Sequence, residues 1–266
     1  MTIHPTAIID PGAELHESVT VGPYTIIEKG VRIGPHTEIK SHCLISGPSS
    51  IGAGNVIGPF ATIGAPPQDL KYKGEDSTLV VGDNNQIREY VSIHRGTAAD
   101  RNETTVGSNN LLMGYVHIAH DCVVGNHAIL ANAATLAGHV TIHDRAILGG
   151  MVAVHQFTRI GEHSYIGGMS GISLDVPPFI IVSGTRKETR VSGINKVGLK
   201  RCGYDNETIR LLDKAFRIIF LTSGLLLKEA LEKTLEEIPN CEPVTRLVDF
   251  FRTSKQGVVR TTNDKE

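Results

Sequence analysis

One aliphatic residue recurs at every sixth position over most of the first 172 residues. The series comprises Ile3, Ile9, Leu15, Val21, Ile27, Ile33, Ile39, Ile45, Ile51, Ile57 and Ile63, then Val81, Ile87 and Ile93, and after one shift of phase Val106, Leu112, Ile118, Val124, Leu130, Leu136, Ile142, Leu148, Val154, Ile160, Ile166 and Ile172. Neither the 3.6-residue period of a helix nor the two-residue period of a strand produces this spacing. The pattern, with glycine and small residues at fixed offsets, indicates a chain that turns a corner every six residues around a narrow aliphatic prism.

Three hexads complete a triangular coil of about 18 residues, and the series predicts roughly nine coils. Coils built from paired strands stack at about 4.8 Å, so residues one coil apart lie above one another. Two excursions interrupt the hexads, near residues 64–80 and 94–105, and loops of this kind commonly carry function. We therefore predict an all-β solenoid, a parallel β-helix of hexapeptide repeats, over residues 1–184.

A different pattern begins after the sequence DVPP at residues 175–178, where the prism is predicted to end. Asp205 is a predicted helix N-cap, and an apolar stripe at helical spacing runs from Ile209 to Phe220. Similar patterns span about residues 225–237 and 242–254. Residues 185–266 are predicted to form a linker and a C-terminal α-helical domain that covers the open end of the solenoid.

Composition narrows the class of protein. Charged residues make up 20% of the chain and the formal net charge is −2, so the sequence predicts neither nucleic-acid nor membrane binding. The four cysteines are widely separated, and Cys43 and Cys122 fall at small inward positions of the repeat. Because there is no sign of a disulfide framework, a leader peptide or an apolar stretch of about 20 residues, we predict a reduced cytoplasmic protein without an integral membrane segment.

The repeat places a group of histidines on one edge of the prism. His120, His139 and His155 each follow an aliphatic residue of the series closely, and these aliphatic residues are one coil apart. His117 precedes the same edge, and Asp121 lies one coil from His139. Imidazoles beside an acid suit general-base chemistry, because the unperturbed pKa of histidine is near 6.5. Six other histidines are predicted to be ordinary polar corner residues: His4, His16, His36, His127, His143 and His163.

Two polar segments belong with this edge. The loop IGAPPQDLKYKGE carries Gln68, Asp69 and Lys71, which are too polar for a core and too dense for a simple turn. The segment RKETRVSGINKVGLKR, residues 186–201, holds six basic residues and one acid. It is either a solvated linker or a surface that binds phosphate or an acidic partner.

Several motifs together resemble the UDP-N-acetylglucosamine O-acyltransferases that begin lipid A synthesis. They are PQDLKYKGE at 67–75, IHRGT at 93–97, HIAHDCVVGN at 117–126, LAGHV at 136–140, GGMVAVHQF at 149–157, DVPP at 175–178 and GLKR at 198–201. The resemblance covers essentially the whole chain. It implies a left-handed β-helix, an exception to the usual right-handed crossover, and a homotrimer with active sites in the clefts between subunits.

The resemblance also implies the reaction and the residues that perform it. The donor would be an (R)-3-hydroxyacyl group on acyl carrier protein, the acceptor the 3-position of a UDP-sugar, with no cofactor and no metal. His120 would be the general base, Asp121 would orient it, and the backbone N–H of Gly138 would stabilise the oxyanion. Since neighbouring side chains of a strand point apart, the pairing of His120 with Asp121 requires a corner at these residues.

Substrate-binding residues are implied by the same motifs. Gln68, Asp69, Lys71 and His94 would contact the substrate, while His117, His139, His155 and Gln156 would line the sugar and acyl sites. Asn195, Lys200 and Arg201 match nucleotide- or phosphate-binding positions, and Gly168 matches a position that sets acyl length, which predicts a medium-to-long chain. Relatives often carry an acid at the position of Val197 and an arginine at that of Cys202, and the segment between Gly184 and Asn195 is longer than in some relatives.

Three alternatives remain at this stage. The sister N-acyltransferases of lipid A synthesis carry an extra N-terminal domain, for which hexads beginning at Ile3 leave no room. A γ-type carbonic anhydrase would hold zinc on three histidines, but the fifth residue after His117 is the inward Cys122. A scaffold solenoid without catalysis leaves the histidines unexplained. The sequence does not distinguish a 3-hydroxyl from a 3-amino acceptor.

Overall fold

The computed structural model describes residues 2–185 and 188–260, so Arg186 and Lys187 of the predicted basic segment lie outside it. The described chain winds into a three-faced prism of short parallel strands joined by tight turns. Face A contains Thr2–Ile3, Thr20–Val21, Glu38–Ile39, Val56–Ile57, Gln86–Ile87, Leu111–Leu112, Ile129–Leu130, Ile147–Leu148, Tyr165–Ile166, Ile180–Ser183 and Arg190–Ile194. Face B contains Ile8–Ile9, Ile26–Ile27, Leu44–Ile45, Thr62–Ala65, Ser92–His94, His117–Ile118, Thr135–Leu136, Ala153–Val154 and Gly171–Ile172. Face C contains Glu14–Leu15, Val31–Ile33, Ser49–Ile51, Thr78–Val81, Glu103–Val106, Val123–Val124, Thr141–Ile142 and Arg159–Ile160.

The coil register follows the hexad frame. Ile118 pairs with Leu136, which pairs in turn with Val154, so residues one coil apart stand above one another. These aliphatic side chains are buried inside the prism, as are the thiols of Cys43 and Cys122. Burial of the inward aliphatic residues is the main stabilising contribution, since each buried side chain of this size is worth about 1.5–3 kcal/mol.

Sharp corners join the faces. Many corner residues that are not glycine have a left-handed backbone, including Asp121, His139 and Phe157 at φ of 60°, 63° and 65°. These three residues occupy equivalent positions on successive coils at the corner between faces B and C. The left-handed conformation turns the chain within two residues, so consecutive side chains at a corner are not forced to opposite sides as they are in a strand.

A ladder of buried asparagines bridges the coils at which the excursions leave the prism. Asn55, Asn85 and Asn110 are all buried at the corner between faces C and A. The Asn55 carboxamide oxygen accepts hydrogen bonds from the backbone and side-chain nitrogens of Asn85, and the Asn85 oxygen accepts one from the Asn110 backbone. Each pair spans a coil lengthened by an excursion, so the ladder maintains the register there.

The C-terminal region closes one end of the prism. Ile180–Ser183 continues face A in parallel, and Arg190–Ile194 pairs with it in antiparallel orientation. This strand differs from the predicted linker: Val191 and Ile194 bury their side chains on the last coil. Helices follow at α1 Lys196–Arg201, α2 Asn206–Phe216, a π-helical turn Arg217–Leu221, α3 Leu227–Glu237 and α4 Glu242–Thr253.

Local contacts fix these helices. The Asp205 carboxylate accepts a hydrogen bond of 2.6 Å from the Thr208 N–H, which confirms the predicted N-cap of α2. Asp175, in the DVPP sequence, is buried and accepts hydrogen bonds from the Arg159 side chain and the Ser254 hydroxyl, which ties the last coil to the segment after α4. None of the described helices combines the length and apolarity needed to cross a bilayer.

The prediction that His163 is an ordinary polar corner residue is wrong. Its ring is buried, stacks on Phe179 at a centroid distance of 5.9 Å and meets Tyr204 edge-on. Burial, with the nearby charges of Arg145 and Arg246, lowers the pKa of His163 to about 4. The C-terminal region covers this corner, which the hexad frame alone does not reveal.

Candidate active site

The structure gathers the predicted catalytic residues at the corner between faces B and C, here called the histidine edge. His94, His120, Gly138 and His155 lie there on successive coils, and His117 projects from the adjoining strand of face B. The rings of His120 and His139 meet edge-on with centroids 5.1 Å apart. One short stretch of the edge therefore carries a dense set of imidazoles.

His120 and Asp121 form a hydrogen-bonded pair. The His120 Nδ1 lies 2.8 Å from the Asp121 Oδ2, and the left-handed backbone of Asp121 makes the pairing of neighbours feasible. The Asp121 side chain is completely buried, whereas His120 retains a small exposed surface. Burial alone would raise the pKa of the Asp121 carboxyl, but hydrogen bonds from His120 and Thr97 hold that pKa below its usual value. An ionised, buried carboxylate can hold the imidazole in one tautomer and orientation.

Gly138 lies directly beneath the His120 ring. A methyl group at its Cα would come within 2.6 Å of the His120 Cε1 and 2.8 Å of its Nε2. Its backbone N–H donates to no backbone acceptor in the described part of the chain. A free N–H next to the exposed side of the base has the placement that an oxyanion donor requires.

His139 is held between two acids. Its Nδ1 lies 2.9 Å from the Asp100 Oδ2 and its Nε2 lies 3.9 Å from the Asp121 Oδ2, while Phe157 stacks on the ring. His120, Asp121 and His139 each place one potential metal ligand within 4.8 Å of the others. A cation there would compete with the Thr97 hydroxyl and the His120 nitrogen for the Asp121 Oδ2.

His94 and His117 form the inner part of the edge. The two rings meet edge-on at 5.0 Å, and the His117 Nδ1 lies 2.7 Å from the Ser92 hydroxyl. Burial lowers the pKa of His94 to about 4, with a further contribution from His117 and His120. Burial also lowers the pKa of His117. Both rings are therefore neutral near pH 7.

Other predicted residues of this edge are exposed. His155 and Gln156 lie on the next coil beyond Gly138, with their side chains open to solvent. In the excursion after Ala65, Gln68 and Lys71 are exposed, and Asp69 caps a tight turn by accepting from the Lys71 N–H. Among the described hydrogen bonds and ion pairs, none joins these loop residues to His120.

The predicted nucleotide-binding residues lie on a different edge. Asn195 donates to the His163 carbonyl and accepts from the Gly198 N–H, so it caps α1 at the corner between faces C and A. Lys200 and Arg201 are exposed on α1, as is Val197. Cys202 follows the helix, is also exposed, and has its Sγ 3.8 Å from the Arg145 Nη1. The whole width of face C separates this edge from His120. A single chain does not bring the two groups together.

Gly168 occupies a third position. It lies exposed at the corner between faces A and B, one coil above Gly150. It is thus away from the histidine edge of its own chain, and the remaining breadth of face B lies between them.

Sequence analysis missed residues that support the base. Thr97 donates its N–H and hydroxyl to the two Asp121 oxygens at 2.9 and 2.7 Å, and the Thr104 hydroxyl accepts from the Asp121 N–H. Asp100, which pairs with His139, lies in the same excursion. The excursion near 94–105 was a signal that this segment carries function, but its non-repeating backbone gave no way to orient individual side chains.

The chain matches known protein families along most of its length. A family model described as UDP-N-acetylglucosamine O-acyltransferase, domain 2, matches residues 175–259, and the bacterial transferase hexapeptide model matches residues 12–47 and 103–138. The chain is 48% identical over 260 residues to an acyl-[acyl-carrier-protein]–UDP-N-acetylglucosamine O-acyltransferase of Syntrophobacter fumaroxidans, covering 98% of this chain and all of the relative. It is 50% identical over 258 residues to the enzyme of that name from Thermodesulfovibrio yellowstonii, covering 97% and 99%.

A solved structure shows the same fold. The UDP-N-acetylglucosamine acyltransferase from Bacteroides fragilis superposes with a TM-score of 0.93 at 46% identity, covering 97% of this chain and 99% of that one. The similarity confirms the predicted left-handed parallel β-helix with a C-terminal helical region. Identity of nearly half over almost the whole length places the chain in a single family: it is a UDP-N-acetylglucosamine O-acyltransferase of the hexapeptide-repeat class.

Proposed function

We propose that this chain transfers an (R)-3-hydroxyacyl group from acyl carrier protein to the 3-position of UDP-N-acetylglucosamine, with His120 as general base. Family membership supports the reaction class and favours it over a γ-carbonic-anhydrase-like metalloenzyme or a scaffold without catalysis. The single observation that carries the mechanism is the His120–Asp121 pair, hydrogen-bonded at 2.8 Å and packed over Gly138.

The chemistry proceeds on the free face of the His120 ring. Its Nε2 takes the proton of the sugar hydroxyl as that oxygen attacks the thioester carbonyl carbon. The Gly138 N–H stabilises the oxyanion that forms on the carbonyl oxygen. When this intermediate collapses, the new ester bond remains, the carbon–sulfur bond breaks, and the proton on His120 passes to the departing thiolate of the carrier. Asp121 holds the Nδ1–H throughout.

The reaction requires no cofactor other than the carrier thioester, which is a co-substrate. His94, His117, His139, His155 and Gln156 would line the sugar and acyl sites along the histidine edge. Gln68, Asp69 and Lys71 would contact the substrate from the loop after Ala65. We assign the reaction to the cytoplasm, in keeping with four free cysteines of which Cys202 is exposed.

A homotrimer would complete the site. Because Asn195, Lys200 and Arg201 lie on another edge from His120, a nucleotide that contacts both groups has to bridge two chains. The corner between faces A and B offers an apolar surface for association: Tyr24, His42, Phe60, Tyr90 and Tyr115 stack on successive coils at 4.8–5.0 Å, and Met151 and Met169 continue the row, 63% and 74% exposed. Exposed apolar rows of this length mark interaction surfaces.

Acyl length follows from Gly168. A side chain at this corner would occupy space that an alkyl chain needs, so glycine there favours a medium-to-long hydroxyacyl donor. Steady-state assays with carrier proteins of several acyl lengths test this, and a preference for donors of about ten carbons would contradict it. The same assay with 3-hydroxyl and 3-amino sugars defines the acceptor.

The central test is His120→Ala. Removing the base should lower kcat by roughly 10²- to 10⁴-fold while the β-sheet circular dichroism and melting temperature stay unchanged. His16→Ala is the matched control, because His16 is an exposed corner histidine on the first coil, far along the axis from His120. Near-normal turnover of His120→Ala would refute the mechanism.

A further inference from the structure

Three consecutive residues lie between the loop after Ala65 and the catalytic pair. Arg95, Gly96 and Thr97 directly follow the strand Ser92–His94 and are all buried. They leave the prism where the second excursion begins. Their contacts extend in two directions, one toward the loop of residues 66–77 and one toward Asp121, so we call this segment the bracket.

Arg95 and Gly96 hold both ends and the middle of the loop. The Arg95 N–H donates to the Ala65 carbonyl at 3.0 Å, before the loop, and the Gly96 N–H donates to the Thr78 carbonyl at 3.1 Å, after it. The Arg95 guanidinium donates to the Gly64 carbonyl at 2.7 Å and to the Tyr72 hydroxyl at 3.2 Å, in the middle of the loop. The loop is therefore attached to the bracket at three places.

The burial of Arg95 is unusual for a residue with no acidic partner. The residue is 9% exposed, and no carboxylate of the described residues forms an ion pair with it. A buried guanidinium without a counter-charge is costly unless its hydrogen bonds are well placed. Here the guanidinium donates to the Gly47 and Gly64 carbonyls and to the Tyr72 hydroxyl, and these three contacts hold it in one position.

Thr97 makes the contacts in the other direction, toward Asp121. We call these contacts the Thr97 arm, and those of Arg95 with the loop the Arg95 arm. It contacts both Asp121 carboxylate oxygens, and the Oδ2 that accepts from the Thr97 hydroxyl is the same atom that pairs with the His120 Nδ1. Rotation of the Asp121 carboxylate is thereby prevented, and the direction of the His120 ring is set through it. Thr97 reaches the base only through Asp121, so it is a positioning residue.

Gly96 allows the two arms to meet. A methyl group at its Cα would lie 2.1 Å from the Glu103 nitrogen and 2.4 Å from the Asn102 carbonyl carbon. The start of the excursion thus packs directly on its end, where Thr104 holds the Asp121 N–H. Only glycine permits this approach, which makes the bracket a compact unit.

We propose that the bracket positions both halves of the site: Thr97 orients the His120–Asp121 pair for proton transfer, and Arg95, through Tyr72, fixes the loop that contacts the sugar nucleotide. This inference rests on the proposed acyl transfer. It predicts a different kinetic effect for each arm. Substitutions in the Thr97 arm should lower kcat because they act on the chemical step, and substitutions in the Arg95 arm should raise KM because they act on substrate binding.

The Thr97 arm is tested by Thr97→Val, which removes the hydroxyl and preserves the shape, with Thr97→Ser as the conservative variant. We expect Thr97→Val to lower kcat roughly 10- to 100-fold with KM for the sugar within about twofold. Without the Thr97 donor, the Asp121 carboxylate binds the protonated His120 more strongly, so the acidic limb of the kcat/KM–pH profile moves to higher pH. Thr97→Ser should restore both kcat and the pH profile. Thr141→Val, on the outer surface of face C, should leave kcat and the pH profile unchanged.

The Arg95 arm is tested by Tyr72→Phe, which deletes one hydroxyl and leaves the core intact, and by Arg95→Met. We expect Tyr72→Phe to raise KM for UDP-N-acetylglucosamine roughly two- to tenfold with kcat nearly unchanged. Arg95→Met should raise this KM further. Tyr165→Phe, on the outer surface of face A, serves as the control.

Each arm, and the proposed function itself, can be refuted by a different result. An unchanged pH profile in Thr97→Val, or failure of Thr97→Ser to restore it, overturns the positioning role. A Tyr72→Phe effect on kcat rather than on KM overturns the loop arm. Imidazole ¹⁵N NMR detects the His120 Nδ1–H without turnover: the bracket predicts the same signal in wild type and Thr97→Ser, and a shifted signal in Thr97→Val. A wild-type protein with that signal but no acyl transfer would refute the proposed function while the positioning role stands.

Discussion

At the scale of single residues, the contact between Gly138 and His120 combines a structural and a chemical requirement. The glycine occupies a turn position that other coils fill with ordinary side chains, such as His120 itself and Gln156. A Cβ at this position would come within 2.6 Å of the His120 ring on the preceding coil, so a side chain here requires the imidazole to move. The same absence of a side chain leaves the N–H open to a reacting carbonyl.

Gly138→Ala should therefore impair chemistry far more than folding. The added methyl has to displace the His120 ring, and a misplacement of about 1 Å costs roughly 10²-fold in rate. We expect kcat to fall by about that factor while the unfolding midpoint in urea changes little. Gly171→Ala is the control, since its methyl would meet the Thr185 side chain at an ordinary 3.6 Å. Full activity in Gly138→Ala would show that the base tolerates a different ring position.

His163 shows that a titratable residue can matter without taking part in catalysis. Its pKa is lowered to about 4 by burial against Phe179 and Tyr204 and by nearby arginines. In the unfolded chain a histidine binds its proton near pH 6.5. Between these two values the unfolded state holds more protons than the folded state, so the free energy of unfolding falls as the pH is lowered from about 6.5 to about 4.

His163→Phe should weaken this pH dependence. Phenylalanine already occupies the left-handed corner conformation at Phe60, Phe157 and Phe179, so the ring is tolerated at φ of 54°. Between pH 7 and pH 5 the variant should lose roughly 1–2 kcal/mol less unfolding free energy than wild type. Urea unfolding followed by circular dichroism at the two pH values measures the difference. Equal losses in both proteins would mean that His163 titrates normally in the fold.

At the scale of structural elements, the excursions create a problem that the asparagine ladder solves. An ordinary coil places its partner 18 residues away, whereas Asn85 lies 30 residues after Asn55 and 25 residues before Asn110. The buried carboxamides hydrogen-bond from coil to coil, and these bonds can form only when the strands pair in the correct register. Slippage by one residue would reverse the inward and outward side chains of a face.

Asn85→Ala should destabilise the prism. It leaves the Asn110 N–H without its acceptor and removes the donor to the Asn55 oxygen and the Gly107 carbonyl. Each buried polar group that loses its partner costs about 1–3 kcal/mol, so we expect a loss of at least that size in the free energy of unfolding. Chemical denaturation provides the measurement, with the exposed Asn132→Ala as control. A change no larger than that of the control would contradict the role of the ladder.

The sequence predicts the coils of the prism well, but not the contacts of the excursions or the C-terminal strand. The repeat determines which residues point inward and which coil each belongs to, so the common edge of His120, His139 and His155 could be predicted before any coordinates. It could not predict Thr97 or Asp100, because an excursion has no period and its contacts depend on a path that long-range packing determines. The hexad pattern does not predict the strand Arg190–Ile194 for a related reason: its partner, Ile180–Ser183, lies beyond the last hexad.

At the scale of the whole molecule, the residues of the proposed site lie on three different edges. The histidine edge holds the base, the corner between faces C and A holds α1 with Lys200 and Arg201, and the corner between faces A and B holds Gly168. The faces between them keep these groups apart within one chain. In a closed ring of three chains, each edge can meet a different edge of its neighbour.

Mixing two inactive variants tests this directly. If each site takes His120 from one chain and Arg201 from the next, trimers refolded from equal amounts of His120→Ala and Arg201→Ala contain one intact site in four, so about a quarter of wild-type activity returns. Sites confined to single chains would recover nothing beyond the mean of the two variants. Size-exclusion chromatography with light scattering verifies that both variants and the mixture have the mass of a trimer.

The coils from Thr20 to Ile57 contain none of the proposed site residues, yet they share the axis and the register of the coils that carry His120. Because every turn of the prism presents the same azimuth, a turn inserted or removed in this stretch would change the length of the rod without rotating the base relative to α1. Length and chemistry are therefore separable in this architecture. A natural or engineered variant can therefore gain or lose a coil in this stretch while the residues of the proposed site keep their alignment.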